Sequence, residues 1–257
     1  MVKLKSKQEI EAMRRAGSLV ARILEQVRQA AEPRVSTAAL NALAEDLIAA
    51  AGAEPLFKGV RSTQAKFPYP AALCTSVNEE VVHGVPGVRL LAEGDILSVD
   101  CGVRLDGYCG DAAITIPVGK VRPEVERLLK VTLEALQIAV SEIRPNRKWT
   151  DVARRMQRHV EEAGFSVVRE FVGHGIGRNL HEDPKVPNFV DRGTRSFDLV
   201  PGLVLAVEPM VNMGRPDVVL GDSTGWTVVT QDRSWAAHFE HTIAVTDKGS
   251  DVLTLIR

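Results

Sequence analysis

Two aspartates on either side of a tight turn are the first residues of this chain whose types and spacing could do chemistry. Asp106-Gly107 is a strong signal for a two-residue β-hairpin turn, and with that pair at the tip Gly102 lies opposite Asp111. Asp100 stands two residues before Gly102 and therefore points to the same face. The Cβ atoms of the two aspartates then lie about 7 Å apart or less, and the carboxylates would repel strongly without a divalent cation between them. The alternative, two surface aspartates near a turn, is weakened because aspartate is depleted inside strands.

Histidine and glutamate supply the other candidate groups. His174 and His181 lie in a glycine-rich segment, residues 173–184, whose glycines let the backbone approach a ligand closely. Glu208 and Glu240 are each embedded in an apolar run that is predicted to be a strand. Buried glutamate is rare unless it is paired or bound to a metal.

Five side chains therefore converge as candidate metal ligands: Asp100, Asp111, His174, Glu208 and Glu240. A set rich in carboxylate oxygen with one imidazole suits Mn, Fe, Co or Zn and does not select among them. Because several of these groups can bridge, the set suits two ions about 3.5–4 Å apart.

The elements that must position these groups follow from periodicity and capping signals. Four helices are predicted: from a capping box at Ser6–Glu9 to before Pro33, from Thr37 to Gly52, from Pro123 to before Pro145 with Leu129, Leu133, Leu136 and Val140 inside, and from a cap at Thr150 to Gly164. Seven strands are predicted: 72–77, 96–104, 108–118, 166–171, 203–211, 226–230 and 239–246.

No linker or low-complexity segment divides the chain, so we expect one catalytic domain over residues 1–257. The expected class is α+β, with helices packed on one face of a mainly antiparallel sheet. The order of two helices and then strands occurs twice, which suggests two similar halves, although no sequence self-similarity supports it.

Composition limits the partners and the compartment. With 32 basic and 33 acidic residues the formal net charge is −1, which gives no electrostatic reason to expect nucleic acid or a membrane as partner. The three cysteines form no C-x-x-C pair and predict no disulfide framework. The N-terminus has no signal-peptide pattern, and no run is long enough to span a bilayer. We expect a soluble protein in a reducing cytoplasm.

The motifs together resemble those of the methionine aminopeptidases, which have the pita-bread fold shared with aminopeptidase P, prolidase and creatinase. The resemblance extends from about Ile10 to Leu255. It rests on five motifs: Asn-Glu-Glu-Val-Val-His-Gly-Val-Pro at 78–86, the two aspartates eleven residues apart, Gly-His-Gly-Ile-Gly followed by a second histidine, Glu-Pro-Met and Glu-His-Thr.

The resemblance implies a role for each candidate ligand. Asp100 would bind one metal ion in bidentate fashion, His174 and Glu208 would bind the other, and Asp111 and Glu240 would bridge both. The two ions would activate a water molecule for attack on the first peptide bond. The implied reaction is removal of the initiator methionine from nascent chains whose second residue is small.

Two histidines that are not ligands complete the implied catalytic set. His83 would contact the scissile amide, and His181, together with a metal ion, would stabilise the developing oxyanion. Glu208 is the implied proton shuttle.

The resemblance also implies an apolar pocket for the methionine side chain, formed by Tyr69, Cys74, His83 and Trp226, with Met210 nearby. Tyr69 and Trp226 could equally be ordinary aromatic core.

Three residues depart from the family pattern without touching the ligands. Leu180 stands where an aromatic residue commonly precedes the second histidine, His238 where glutamine is common, and Lys66 where an aromatic residue is frequent. They leave the shape of the pocket open.

Length predicts the type I subtype. Five residues precede the first helix cap, and 26 residues separate His181 from Glu208, which leaves no room for the type II insertion. The sequence leaves two rival interpretations. One is a non-catalytic pita-bread module that binds RNA or ribosomes, which the presence of all five ligands disfavours. The other is a proline-directed peptidase, which the absence of the large preceding domain disfavours. The expected protein is a monomer, and a transient ribosome contact is compatible with it.

Overall fold

Four helices and fifteen short strands make up residues 2–256, the part of the chain that the computed structural model describes. The helices are α1 Lys7–Ala30, α2 Thr37–Ala50, α3 Pro123–Glu142 and α4 Trp149–Glu162. The strands are β1 Glu54–Pro55, β2 Leu73–Val77, β3 Glu80–Val82, β4 Ile96–Leu105, β5 Tyr108–Pro117, β6 Ser166–Val167, β7 Gly173–Gly175, β8 Glu182–Val186, β9 Val204–Val207, β10 Met210–Asn212, β11 Val218–Leu220, β12 Val228–Thr230, β13 Ala236–His238, β14 His241–Thr246 and β15 Gly249–Val252.

Hydrogen bonding divides the strands into four sheets, and every strand pair within residues 2–256 is antiparallel. One sheet has the order β1-β4-β2 with β5 also paired to β4, and the largest has the order β15-β14-β9-β7-β8. The smaller two are β13-β10-β6 and β11-β12-β3. The expected α+β class with antiparallel pairing is confirmed.

Two hydrophobic cores underlie the fold, each with its own helix pair. One core packs α1 and α2 against β2, β4 and β5. The other packs α3 and α4 against strands of the second half, around the fully buried Trp149. This arrangement matches the predicted repetition of helix pair and sheet. No helix within residues 2–256 is long and apolar enough to cross a membrane.

The helix ends confirm two capping predictions, one at the start of α1 and one after α2, and contradict a third. Ser6 and Glu9 form the capping box of α1, and Gly52 follows α2 with a positive φ of 65°. The predicted Thr150 cap is wrong, because α4 begins one residue earlier at Trp149 and Lys148 is the N-cap. The Thr150 hydroxyl instead lies 2.9 Å from that of Ser196.

The predicted inner stripe of α3 is also partly wrong. Leu136 is buried, but Leu133 is 36% exposed and Leu129 and Val140 are only half-buried. The stripe that faces the core is Val125, Leu128, Val131, Thr132, Ala135, Leu136 and Ala139. Its small residues allow close packing, and Thr132 satisfies its hydroxyl by donating to the Leu128 carbonyl.

One predicted strand is broken where the chain passes between sheets, and another is shortened beside that break. The run 203–211 becomes β9 and β10, and the run 239–246 begins two residues late, as β14, after a separate β13. β9 pairs with β14 while β10 pairs with β13, so the breaks at Glu208-Pro209 and Phe239-Glu240 face each other. Proline lacks the N–H that a continuous ladder requires, which explains the break at residue 209.

Candidate active site

The β4–β5 hairpin places Asp100 and Asp111 as its turn predicts. Gly102 pairs with Asp111 in the ladder, and the tip residues Asp106 and Gly107 have φ values of 52° and 79°. These positive values are those of a type I′ turn. A Cβ on Gly102 would lie 3.1 Å from Asp111 Oδ1 and 2.9 Å from the ring of Phe57. Glycine at this position therefore keeps space open beside the Asp111 carboxylate.

Glu208 and Glu240 project from the two strand breaks and not from within strands, which corrects the sequence interpretation. The Glu208 carbonyl accepts a hydrogen bond of 2.9 Å from the amide of the buried Asn188. The Glu240 N–H donates to the Ala113 carbonyl on β5 at 2.8 Å. Each glutamate backbone is thus held by a neighbouring element, and Glu240 is held by the hairpin that carries the aspartates.

His174 on β7 directs one ring nitrogen at the acids. Its Nδ1 lies 3.0 Å from the Gly175 carbonyl, which leaves Nε2 for other partners. Nε2 is 3.7 Å from Asp111 Oδ2 and 3.7 Å from Glu208 Oε1. The ligand atoms of Asp111, His174 and Glu240 all lie within 4.8 Å of one another.

The glycines beside His174 serve strand packing. A Cβ on Gly173 would lie 2.3 Å from the Ala206 carbonyl oxygen, and one on Gly175 would lie 2.1 Å from that of Asp183. The sequence interpretation assigned these glycines to the close approach of a ligand. That detail is wrong, since the atoms that approach these two glycines closely belong to the neighbouring strands β8 and β9.

Burial sets the electrostatics of the four acids. It raises the pKa of Asp100 to about 7 and that of Glu208 to about 8. It also raises the pKa values of Asp111 and Glu240 well above their usual range, with further increases from neighbouring carboxylates. Four acids in one buried site thus oppose one another's ionisation.

Three buried carboxylate oxygens of this site lack a hydrogen-bond partner within residues 2–256: Asp100 Oδ1, Asp111 Oδ1 and Glu240 Oε1. Buried oxygen atoms of this kind are costly unless a cation or another donor satisfies them. The donor set of carboxylates and one imidazole is suited to divalent transition ions. The residues therefore fit a metal site.

A cavity of about 110 Å³ ends on these acids. At its apolar end the rings of Tyr69 and Trp226 meet edge to face with centroids 5.1 Å apart. Tyr69 donates its hydroxyl to backbone carbonyls, and Trp226 Nε1 donates to the Phe67 carbonyl at 2.9 Å. Both aromatic polar groups are therefore satisfied by the backbone. Cys74 also lines this cavity.

Other cavity residues escaped the sequence reasoning or correct it. Phe57 and Val60 line the apolar end and carry no motif that would have revealed them. Met210, expected nearby, packs instead in a separate cluster with Val81 and Val168. Of the three departures from the family pattern, Leu180 lines the cavity, while Lys66 lies on an exposed loop and His238 lies behind Glu208.

His83 and His181 both line the cavity but differ in setting. Burial lowers the pKa of His83 to about 4, and its backbone holds a φ of 60°, which is unusual for a residue with a side chain. Its ring meets Phe171 edge to face. His181 is exposed, and its ring centroid lies 4.4 Å from that of His174. Burial lowers its pKa as well, so both imidazoles are neutral near pH 7.

Residues 11–247 match metallopeptidase family M24. The chain belongs to this family. A methionine aminopeptidase of Clostridium acetobutylicum is 48% identical over 256 residues, covering 99% of both chains. Methionine aminopeptidase 1 of Bacillus subtilis is 45% identical over 259 residues and is covered in full.

The solved structures agree with this assignment. The crystal structure of methionine aminopeptidase from Thermotoga maritima superposes with a TM-score of 0.93 at 42% identity, covering 99% of this chain and 100% of that one. The M24 pita-bread fold predicted from the motifs is confirmed. The prolidase of Pyrococcus horikoshii shares the fold alone, with a TM-score of 0.77 at 21% identity over 64% of its length.

Proposed function

We propose that this chain removes N-terminal methionine from polypeptides and that the acidic cavity is where it does so. The observation that carries this proposal is a small cavity that is lined by aromatic side chains, by four acids, of which Asp111 and Glu240 are buried, and by His174. Such a cavity accepts one side chain and ends on a metal-ligating set. Family membership and the full-length similarity to methionine aminopeptidases support the same activity.

Two divalent ions would be held by the five side chains predicted from sequence. Asp111 and Glu240 would be shared between the ions, Asp100 would hold one, and His174 with Glu208 would hold the other. When bound, the ions would lower the pKa of water and polarise the scissile carbonyl. The proximity of Asp111, His174 and Glu240 supports this division, and Mn, Fe, Co and Zn all suit the donors.

The two further histidines would act on the peptide. Neutral His181, at the exposed side of the cavity, can donate an N–H to the carbonyl oxygen as negative charge develops there. His83, also neutral, lines the same cavity and would contact the scissile amide. Glu208 would take up and return the proton.

Specificity would come from the apolar end of the cavity. Tyr69, Cys74 and Trp226 leave a narrow space that suits the unbranched methionine side chain and its polarisable sulfur. Burying that side chain contributes about 1.5–3 kcal/mol. We expect a small second residue because it must lie beside the acids at the cavity mouth.

A peptide panel tests the proposal. With Mn²⁺ or Co²⁺ supplied, the enzyme should hydrolyse Met-Ala-Ser efficiently and Leu-Ala-Ser or Met-Arg-Ser poorly. Chelator-treated enzyme is the control and should be inactive until metal is restored. Equal cleavage of Met-Ala-Ser and Leu-Ala-Ser would contradict the methionine assignment while leaving the aminopeptidase chemistry in place.

Both rivals have less support. An RNA-binding module without catalysis would not need five converging ligands, and the prolidases share the fold alone with this chain. Nascent polypeptides are the proposed partners. A monomeric state and a transient ribosome contact stay predictions.

A further inference from the structure

His238 is a buried histidine with an unpartnered ring nitrogen beside the proposed metal site. Its side chain is almost fully enclosed, and Nε2 has no hydrogen-bond partner within residues 2–256. That nitrogen lies 3.9 Å from Glu208 Oε2. At this distance His238 Nε2 makes no hydrogen bond to the Glu208 carboxylate. Buried polar atoms without a partner are rare and often mark a functional position.

The backbone of His238 is anchored, and its side chain is buried. Its N–H donates to the Thr115 hydroxyl at 2.9 Å, and that hydroxyl donates to the His238 carbonyl at 2.7 Å. The hydroxyl of Ser98 lies 2.9 Å from that of Thr115. β13, which ends at His238, is therefore tied to both strands of the aspartate hairpin.

The Glu208 carboxylate lies between two imidazoles. Oε1 faces His174 Nε2 at 3.7 Å, and Oε2 faces His238 Nε2 at 3.9 Å. The backbone carbonyl of Glu208 is held independently by Asn188. Each oxygen of the carboxylate therefore faces a different imidazole.

We propose that His238 is a positioning residue that orients the Glu208 carboxylate for metal binding. Its Nε2–H would donate to Oε2, by a small approach or through one water molecule, and leave Oε1 for the ion beside His174. The inference rests on the proposed function, in which Glu208 is a metal ligand. Hydrogen bonds to ligating carboxylates commonly set ligand geometry in this way.

A neutral imidazole donates through one nitrogen only. His238 would thus supply one directed hydrogen bond to the Glu208 carboxylate.

The test compares His238→Leu with His238→Gln. Leucine fills the space without a donor, whereas glutamine restores an N–H at similar reach. Isothermal titration of Mn²⁺ into chelator-treated protein should show about 10–100-fold weaker binding of one ion in the leucine variant. The glutamine variant should bind within about threefold of the wild type. Circular dichroism and thermal melts check that each variant is folded.

Wild-type affinity in the leucine variant, or equal losses in both variants, would overturn the positioning role. If the leucine variant does not fold, His238→Asn takes its place, because its shorter amide cannot reach Glu208, and it should bind weakly where glutamine does not. Glu208→Gln separates this inference from the proposed function. Binding of both ions by Glu208→Gln with wild-type affinity would refute Glu208 as a ligand whatever His238 does.

Discussion

Four carboxyl groups and one imidazole in a single buried site define the chemistry of this molecule at the scale of residues. Their mutual repulsion is severe without counter-charge, and three of their oxygens lack partners. Each ligand is nevertheless held by ordinary interactions of its backbone. The Asp111 backbone, for example, exchanges two hydrogen bonds with the Thr242 hydroxyl, at 3.2 and 2.8 Å. The repelling groups are thus held in place before any ion binds.

Loss of a shared ligand should remove the second ion. Asp111→Asn or Glu240→Gln deletes a charge that both ions would use, so turnover of Met-Ala-Ser should collapse and metal content should fall from two ions to one. Elemental analysis of the purified variants measures this directly. Near-normal activity of either variant at micromolar metal concentration would rule out a dinuclear site.

The histidines should separate into ligand and non-ligand. His174→Ala removes an imidazole whose Nε2 faces two acids, so it should reduce metal content. His83→Ala should keep both ions and lower kcat by about 10²–10⁴. His159→Ala is the matched control, since that ring pairs with Glu134 on the helix surface and should change neither quantity. Equal metal loss from His174→Ala and His83→Ala would contradict these roles.

At the scale of elements, the aspartate hairpin depends on its close approach to α1. A Cβ on Gly110 of β5 would lie 2.5 Å from the Gly17 backbone nitrogen and 2.7 Å from the Ala16 carbonyl carbon. Backbone atoms cannot move aside as a flexible side chain can. The helix therefore packs directly on the strand that carries Asp111.

Gly110→Ala should destabilise the protein by about 1–3 kcal/mol, because overpacking forces α1 and β5 apart. Gly87→Ala is the control, since the nearest atom to its added Cβ is 3.9 Å away. Urea unfolding of both variants gives the comparison. Equal stability of the two would show that the close contact carries no energetic weight.

The elements also show how far sequence predicts this site. The hairpin was predictable because Asp106-Gly107 specifies both the turn and the register, which determines where Asp100 and Asp111 lie. Glu208 and Glu240 were identified as buried acids but misplaced within strands. Their true positions depend on a change of sheet, which arises from pairing between segments more than 20 residues apart. No local pattern encodes that crossing.

Features that carry no charged motif are harder to predict from sequence than the metal ligands are. The inner face of α3 includes Thr132 and two alanines, whereas the predicted residues Leu129, Leu133 and Val140 lie on a neighbouring stripe. Phe57 and Val60 reach the cavity from a loop without periodicity. In the sequence His238 is only a departure from the family pattern. Its ring nitrogen comes within 3.9 Å of Glu208 Oε2 through the fold, which no local pattern predicts.

At the scale of the whole molecule, buried ionisable groups make stability depend on pH. The raised pKa values of Asp100 and Glu208, about 7 and 8, mean that the folded chain retains protons that the unfolded chain has lost. Stability from these groups therefore falls as pH rises toward 8. Histidines with lowered pKa values oppose the trend, but only below about pH 6.5, where the unfolded imidazoles take up protons.

The metal-free protein should consequently lose stability between pH 6.5 and pH 8, by up to about 1.4 kcal/mol per pH unit for each proton involved. Saturating Mn²⁺ should reverse the slope, since ionised carboxylates bind the ion more tightly as pH rises. Urea unfolding with and without chelator measures both slopes. A metal-free stability that rises over this interval would contradict the pKa directions of the acids.

The most direct test of a dinuclear centre at the end of the cavity is anomalous diffraction from crystals grown with Mn²⁺. Two peaks should appear about 3.5–4 Å apart. Asp111 and Glu240 should contact both, Asp100 should contact one, and His174 with Glu208 should contact the other. A single peak, or two peaks outside this set of residues, would contradict the proposed centre.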